Sequence, residues 1–118
     1  MAASKRAREL AQIAAKASLE KLATDVLIID VSEKFSLSDI FVIASGANPR
    51  QVAAIVEEIE NELLKVKVKS LRKEGTKESQ WILLDFSEII VHVQLAENRE
   101  VYALERLWND CPIEAFNG

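Results

Sequence analysis

Side chains that could perform catalysis are few in this chain of 118 residues, which holds one histidine, His92, and one cysteine, Cys111. A serine or cysteine nucleophile needs a base beside it, and no histidine other than His92 could supply one. One cysteine and one histidine cannot complete the Cys/His ligand set of a zinc site. Cys111 is therefore interpreted as an ordinary thiol. With three glycines in the chain, neither a Walker loop nor a dinucleotide fingerprint is present.

Metal-dependent nucleotidyl transfer would need a Gly-Ser turn followed by two carboxylates two residues apart on a strand, where both can hold Mg²⁺. Ser45-Gly46, before a predicted helix, resembles the start of such a site. The acidic pairs with that spacing, among Glu58, Glu60 and Glu62, fall on the helix itself, where residues two apart diverge by about 200°. We therefore expect no catalytic metal, no cofactor and no enzymatic activity.

Charge is distributed unevenly along the chain. The net charge is −4, yet residues 65–77 carry six basic residues and one acidic residue. Lys65, Lys67 and Lys69 alternate with valines, which predicts an edge strand whose lysines discourage pairing with other chains. This basic run is either a solvated edge or a minor contact with RNA. The acidic balance of the whole chain argues against DNA binding and suits a basic protein partner.

The first element expected is a helix over residues 4–22, where apolar residues, Leu22 included, recur at three-to-four spacing and Ser4 can cap the start. A transit peptide is the alternative for a stretch rich in Ala, Ser and Arg. Glu9 and Glu20 favour the structural helix. No run of apolar residues is long enough to span a membrane, and no signal peptide is recognisable.

Two short apolar runs, residues 26–31 and 40–45, predict buried strands. They are expected to pair antiparallel because their link is too short for a crossover helix. Asn48, Pro49 and Gln51 then mark the start of a second helix. The face of this helix that is expected to be buried carries Val52, Ile55, Val56, Ile59 and Leu63.

Two further strands are predicted over residues 81–86 and 89–95, joined by a tight turn, and a last helix over residues 98–109. The last helix either closes the domain or contributes to a dimer. The fold class expected is α/β (α+β), with a single mixed sheet of about five strands flanked by helices. We expect one domain over residues 1–118, with a short tail over 110–118.

Alternation along the last two strands places Trp81, Leu83, Ile90 and His92 on the sheet face opposite the core residues. If helices cover only one face, these four residues form an exposed apolar patch with an acidic rim, and such patches mark partner surfaces. If the second face is covered as well, Trp81 belongs to the core and His92 is an ordinary sheet residue. The sequence leaves both interpretations open.

Several blocks of residues carry a resemblance to a known family. They are DIFVIASG (39–46), RQVAAI (50–55), EG (74–75), WILLDF (81–86), VHV (91–93) and REVYALERLW (99–108). Their content and order resemble the ribosome silencing factor family (RsfS, also called Iojap) over about residues 10–109. The resemblance implies a nucleotidyltransferase-like fold without the catalytic carboxylates.

The function implied by the resemblance is repression of translation. Family members bind the large ribosomal subunit through large-subunit ribosomal protein fourteen, and they sterically block joining of the small subunit when nutrients are scarce. The resemblance also implies a homodimer in the free state and allows a minor contact of Lys65, Lys67 and Lys69 with ribosomal RNA. Organellar members carry N-terminal extensions, whereas this chain begins almost at its first helix, which favours a bacterial cytoplasmic origin.

Contact residues for the ribosomal protein follow from the same blocks. Carried over onto this sequence they are Glu74, Gly75, Trp81, Asp85 and His92, followed by Arg99, Glu100, Tyr102 and Trp108. Phe86 stands where tyrosine is common in the family, which removes a polar group at that position. Two alternatives remain: a residual nucleotidyltransferase, which would bind nucleotide with Mg²⁺, and a homodimeric adaptor for another protein.

Overall fold

The computed structural model describes residues 3–75, 80–97, 106 and 108–117. Within them, one six-stranded sheet has the order β3-β4-β5-β2-β1-β6. The elements are α1 (Lys5–Glu20), β1 (Thr24–Asp30), β2 (Ile40–Gly46), α2 (Pro49–Lys65), β3 (Arg72–Glu74), β4 (Trp81–Asp85), β5 (Ile89–Leu95) and β6 (Ile113–Ala115). β2 and β5 pair in parallel, and the other neighbours are antiparallel. The predicted α+β class with one mixed sheet is confirmed, with six strands where about five were expected.

Helix α1 begins as predicted, because the Ser4 hydroxyl accepts the Ala7 backbone N–H at 3.0 Å. Small side chains dominate its buried side, so the helix can approach the sheet and α2 closely. The buried residues are Ala7, Leu10, Ala11, Ala14, Ala15, Ala17 and Ser18. The prediction that Leu22 belongs to this buried face is wrong. It follows the end of the helix with φ 63° and is 78% exposed.

Helix α2 also begins where the sequence indicates. Asn48 accepts the Gln51 backbone N–H at 2.8 Å, and Pro49 occupies the first turn. The Gln51 side chain donates to the carbonyls of Lys21 and Leu22 at 3.1 and 3.0 Å, which joins the end of α1 to the start of α2. The five residues predicted for the buried face are the five that the structure buries.

The edge strand predicted from the lysine-valine alternation is wrong. Helix α2 continues to Lys65, and the next residues close it: Val68 N–H donates to the Leu63 carbonyl and Lys67 N–H to the Leu64 carbonyl, both at 2.9 Å. With Lys67 at φ 65°, this is a Schellman ending. These N–H groups bond the last turn of the helix and are not available to a strand. The edge strand is β3, Arg72–Glu74.

The chain after β5 differs from expectation where it is described. Residues 113–115, expected to lie in a tail, form β6 and pair antiparallel with β1. Most of the helix predicted over residues 98–109 lies outside the described residues.

Both faces of the sheet are covered. α1 and α2 pack on one face, against the β2 residues Ile40, Val42 and Ala44 and their neighbours. The opposite face forms a second, smaller core of Ile29, Val31, Phe41, Ile43, Ile90 and Cys111, with Phe35, Leu83 and Trp108 packed against it. The two central strands, β2 and β5, are therefore buried along their whole length.

Candidate functional site

The edge of the sheet carries most of the described residues that the sequence selected. In the register of β3 and β4, Glu74 lies opposite Leu83 and Arg72 opposite Asp85. Opposed residues of an antiparallel pair share a face, as do residues two apart on a strand. We call the set Arg72, Glu74, Trp81, Leu83 and Asp85 the edge surface. Trp81 and Leu83 are half-buried, whereas Arg72 and Glu74 are exposed.

Trp81 forms a hydrogen bond with the buried His92 of β5. The Trp81 indole Nε1–H donates to His92 Nδ1 at 3.1 Å. His92 is 7% exposed, and this burial lowers its pKa to about 4. The imidazole is therefore neutral near pH 7, and Nδ1 carries the lone pair that accepts the indole proton.

Aromatic rings support this pair from within the second core. The Phe41 ring meets His92 and Trp108 edge-on, with centroids 5.2 Å apart in each case. Phe35 completes the aromatic cluster, with centroids 5.4 Å from Phe41 and 6.0 Å from Trp108. Edge-to-face pairs of this kind contribute about 0.5–1.5 kcal/mol each beyond the area they bury. Trp108 is therefore a packing residue of this core.

Trp81, Leu83, Ile90 and His92 do not form a patch of four exposed residues. Ile90 and His92 are 8% and 7% exposed. Phe35, Phe41 and Trp108 fill the second core beside these β5 residues. Of the two interpretations that the sequence left open, the patch of four exposed residues is wrong, and only Trp81 and Leu83 reach the surface.

Asp85 holds a turn as well as an ion pair. Its Oδ1 accepts the Ser87 backbone N–H at 2.8 Å, which supports the turn at Ser87, where φ is 73°. Its Oδ2 lies 3.8 Å from the Arg72 guanidinium, and Glu74 lies 3.4 Å from the same group. Because these pairs are partly solvated, they add little to stability, and they place two carboxylates around one arginine at the rim of the edge surface.

Gly75 shapes the site without contributing a side chain. Its φ is +102°, and an added Cβ would lie 2.8 Å from the Trp81 carbonyl oxygen. The backbone after β3 thus passes directly against the start of β4, which only glycine permits. This close approach is a structural reason for glycine at position 75, and its contact with a partner stays a prediction.

The other predicted contacts and chemical groups are placed as follows. Arg99, Glu100 and Tyr102 lie outside the described residues. Cys111 is buried in the second core, and burial raises the pKa of its thiol, which disfavours the nucleophilic form. Among the described residues, no cluster of three His, Cys, Asp or Glu side chains could hold a metal ion, and no helix there could cross a membrane.

Some basic residues from Lys65 onward form ion pairs, and others face solvent. Lys65 lies 2.6 Å from Glu62, and this hydrogen bond raises the pKa of the lysine. Lys73 lies 3.2 Å from Glu60. Lys67 is exposed on the turn that ends α2, and Lys69 is exposed just after it.

Two supporting residues, Phe41 and Arg72, were absent from the prediction. Phe41 lies two residues before Ile43 on β2, so strand alternation could have placed it on the second face with His92. Arg72 could not have been found in this way, because the sequence pattern placed the edge strand at residues 65–69 and predicted no strand at Arg72–Glu74.

Comparison with known proteins shows similarity along nearly the whole chain. Residues 4–117 match the family model described as "Ribosomal silencing factor during starvation". The chain is 34% identical to ribosomal silencing factor RsfS of Bacillus subtilis over 90% of each sequence. It is also 34% identical to "Mitochondrial assembly of ribosomal large subunit protein 1" of Mus musculus, over 73% of this chain and 39% of that protein. A crystal structure of a Chromobacterium violaceum protein superposes with a TM-score of 0.82 at 29% identity, covering 94% of this chain and 92% of that one.

Proposed function

Since this chain belongs to the ribosomal silencing factor family, we propose that it binds the large ribosomal subunit through large-subunit ribosomal protein fourteen. Bound there, it sterically blocks joining of the small subunit and dampens translation when nutrients are limiting. The family's role is ribosome-associated regulation of translation. A mouse relative named for assembly of the ribosomal large subunit supports the choice of that subunit. The cytoplasm of a bacterium is the proposed location.

The observation that carries this proposal is the half-buried Trp81 on the edge surface, beside Leu83. Tryptophan is enriched among residues that dominate binding energy, because a rigid ring buries a large area at low entropic cost. Glu74 and Asp85 give the surrounding rim an acidic character that suits a basic ribosomal protein. Arg72, between them, can exchange its intramolecular ion pairs for contacts with the partner.

The proposed mechanism is steric and requires no catalytic step. The chain measures 37 × 33 × 26 Å, far larger than the space between two surfaces in close contact. A body of this size on the joining face of the large subunit keeps the small subunit away. In the same proposal, the free protein is a homodimer.

The turn after α2 supplies a minor second contact in this proposal. Lys67 and Lys69 are exposed, whereas the Glu62 carboxylate lies against Lys65. The lysines would lie against phosphates of ribosomal RNA. Phosphate contacts release counterions, so this part of the affinity weakens as salt rises.

Co-sedimentation with purified ribosomal subunits tests the proposal. The protein is added to large subunits, the mixture is centrifuged through a gradient, and small subunits are then added. We expect co-migration with large subunits and fewer joined ribosomes. Absence of co-migration at low salt would refute the proposal.

Two matched pairs of variants locate the contact. Trp81→Ala should weaken binding by about 30-fold, the loss typical of a central aromatic contact, whereas Leu37→Ala, at an apolar residue that is 76% exposed in a loop, should not. Glu74→Lys should weaken binding by charge repulsion, whereas Glu57→Lys on the exposed side of α2 should not. Equal binding within each pair would place the contact elsewhere on the molecule.

A further inference from the structure

His92 is placed to control the orientation of Trp81. The indole N–H of Trp81 points at His92 Nδ1 over 3.1 Å, and the two rings are tilted by 57° with centroids 5.9 Å apart. His92 is itself immobilised, because it is buried in the central strand β5 and Phe41 packs edge-on against it. The polar end of the Trp81 ring is thus tied to a fixed point of the sheet.

Stability alone does not account for a histidine at this position. The other ring nitrogen of His92, Nε2, is buried and has no hydrogen-bond partner in the described part of the chain. A buried polar group without a partner destabilises a fold, and an apolar ring of similar size avoids that loss. Of the two ring nitrogens that an apolar ring lacks, only Nδ1 has a partner among the described residues, and it acts as an acceptor.

We propose that His92 is a positioning residue for the ribosomal contact, holding the Trp81 indole in its binding orientation before the partner arrives. The ribosomal contact of Trp81 is itself part of the proposed function, so the role assigned to His92 rests on that function. A side chain that can change its rotamer loses this freedom on binding, and a ring already held in place avoids the loss. His92 acts through Trp81, since its own burial keeps it from touching a partner.

A double-mutant cycle between the two residues tests this role. The variants are His92→Phe, which removes the acceptor and keeps a ring, Trp81→Phe, which removes the donor, and the double variant. Affinity for purified large subunits is measured near neutral pH. We expect His92→Phe to bind between about twofold and tenfold more weakly than the wild type. In the Trp81→Phe background, the same change should have no further effect.

Two further readouts separate positioning from a general effect on packing. The Trp81 indole N–H resonance should move upfield in His92→Phe, as the hydrogen bond to nitrogen is replaced by water. The urea midpoint of His92→Phe should equal or exceed that of the wild type. Phe35→Leu is the matched control: it removes the ring contacts of Phe35 with Phe41 and Trp108 and keeps Phe41, His92 and Trp81, so it should lower stability and leave the Trp81 indole resonance in place.

Different failures overturn different claims. If Trp81→Ala abolishes binding and His92→Phe binds like the wild type, the positioning role is wrong and the proposed function stands. A loss of affinity in His92→Phe that merely follows a loss of stability, as in Phe35→Leu, also overturns the positioning role. If the wild type does not bind large subunits, or if Trp81→Ala binds as well as the wild type, the proposed surface itself is wrong.

Discussion

Acidification should destabilise this protein through one side chain, the buried His92. In the folded chain its pKa is lowered to about 4 by burial, whereas in the unfolded chain it returns to 6.5. As the pH falls below about 6.5, the imidazole is protonated in the unfolded state and stays neutral in the folded state. The free energy of unfolding therefore decreases as the pH decreases. The His92 contribution is thus fully present above the unfolded pKa and is lost as pH falls toward the folded value.

The size of the effect follows from the two pKa values. Each unit of difference corresponds to about 1.4 kcal/mol once both states have titrated. At about pH 5 the unfolded chain is almost fully protonated and the folded chain is mostly not, which gives a loss of about 2 kcal/mol relative to about pH 7.5. For a typical urea m-value of about 2 kcal/mol/M, the midpoint falls by about 1 M.

Urea unfolding of the wild type and of His92→Phe, at a series of pH values from about 7.5 to about 5, measures this loss. The chain has one histidine, so no other imidazole titrates in this range. Asp30 titrates at lower pH. Burial raises the pKa of this carboxyl, but the hydrogen bonds from Ser32 and Ala3 together lower it by more, so its pKa lies below the ordinary value.

The two proteins should diverge as the pH falls. The wild type should lose stability toward about pH 5, and the variant, which lacks the imidazole, should lose much less. Parallel curves for the two proteins would refute the reasoning, because they would mean that His92 is solvated or partnered in the folded state.

Three substitutions test the backbone of the fold by urea unfolding near neutral pH. Gly75→Ala should lower stability by at least about 2 kcal/mol, since the added Cβ meets the Trp81 carbonyl oxygen at 2.8 Å and φ is +102°; an unchanged midpoint would contradict this. Lys67→Gly should raise stability by about 0.5–1 kcal/mol, because glycine adopts φ 65° without strain, and a lower midpoint would show that the lysine side chain stabilises the turn. Asn48→Ala should cost about 1 kcal/mol by removing the acceptor for the Gln51 N–H, and no loss would mean that water replaces that cap.

The sequence alone determined what depends on neighbouring residues. The start of α2 follows from Asn48 and Pro49, and its buried face follows from the spacing of apolar residues around a helix. Strand alternation likewise separated Ile82 and Leu84, which are buried against the helices, from Trp81 and Leu83 on the other face. Family membership was also readable, because the matching blocks occur in order along the chain.

Prediction from local sequence patterns was wrong where the same pattern is compatible with two different secondary structures. Alternating lysines and valines over residues 65–69 are compatible with an edge strand and equally with the last turn of a helix. The outcome depended on which carbonyls the N–H groups of Lys67 and Val68 could reach, and those belong to Leu64 and Leu63 of the helix. β6 was missed because three residues form a strand only when β1 is beside them.

Tertiary structure alone decided which parts of the second sheet face reach solvent. Alternation states which side chains share a face, but coverage of that face comes from Phe35 and Trp108, which are distant in sequence from β4 and β5. Packing of these rings buried His92 and left Trp81 half-exposed above it. The hydrogen bond between Trp81 and His92 forms because the register of β4 and β5 brings these two residues together. They lie 11 positions apart, and no local pattern specifies that register.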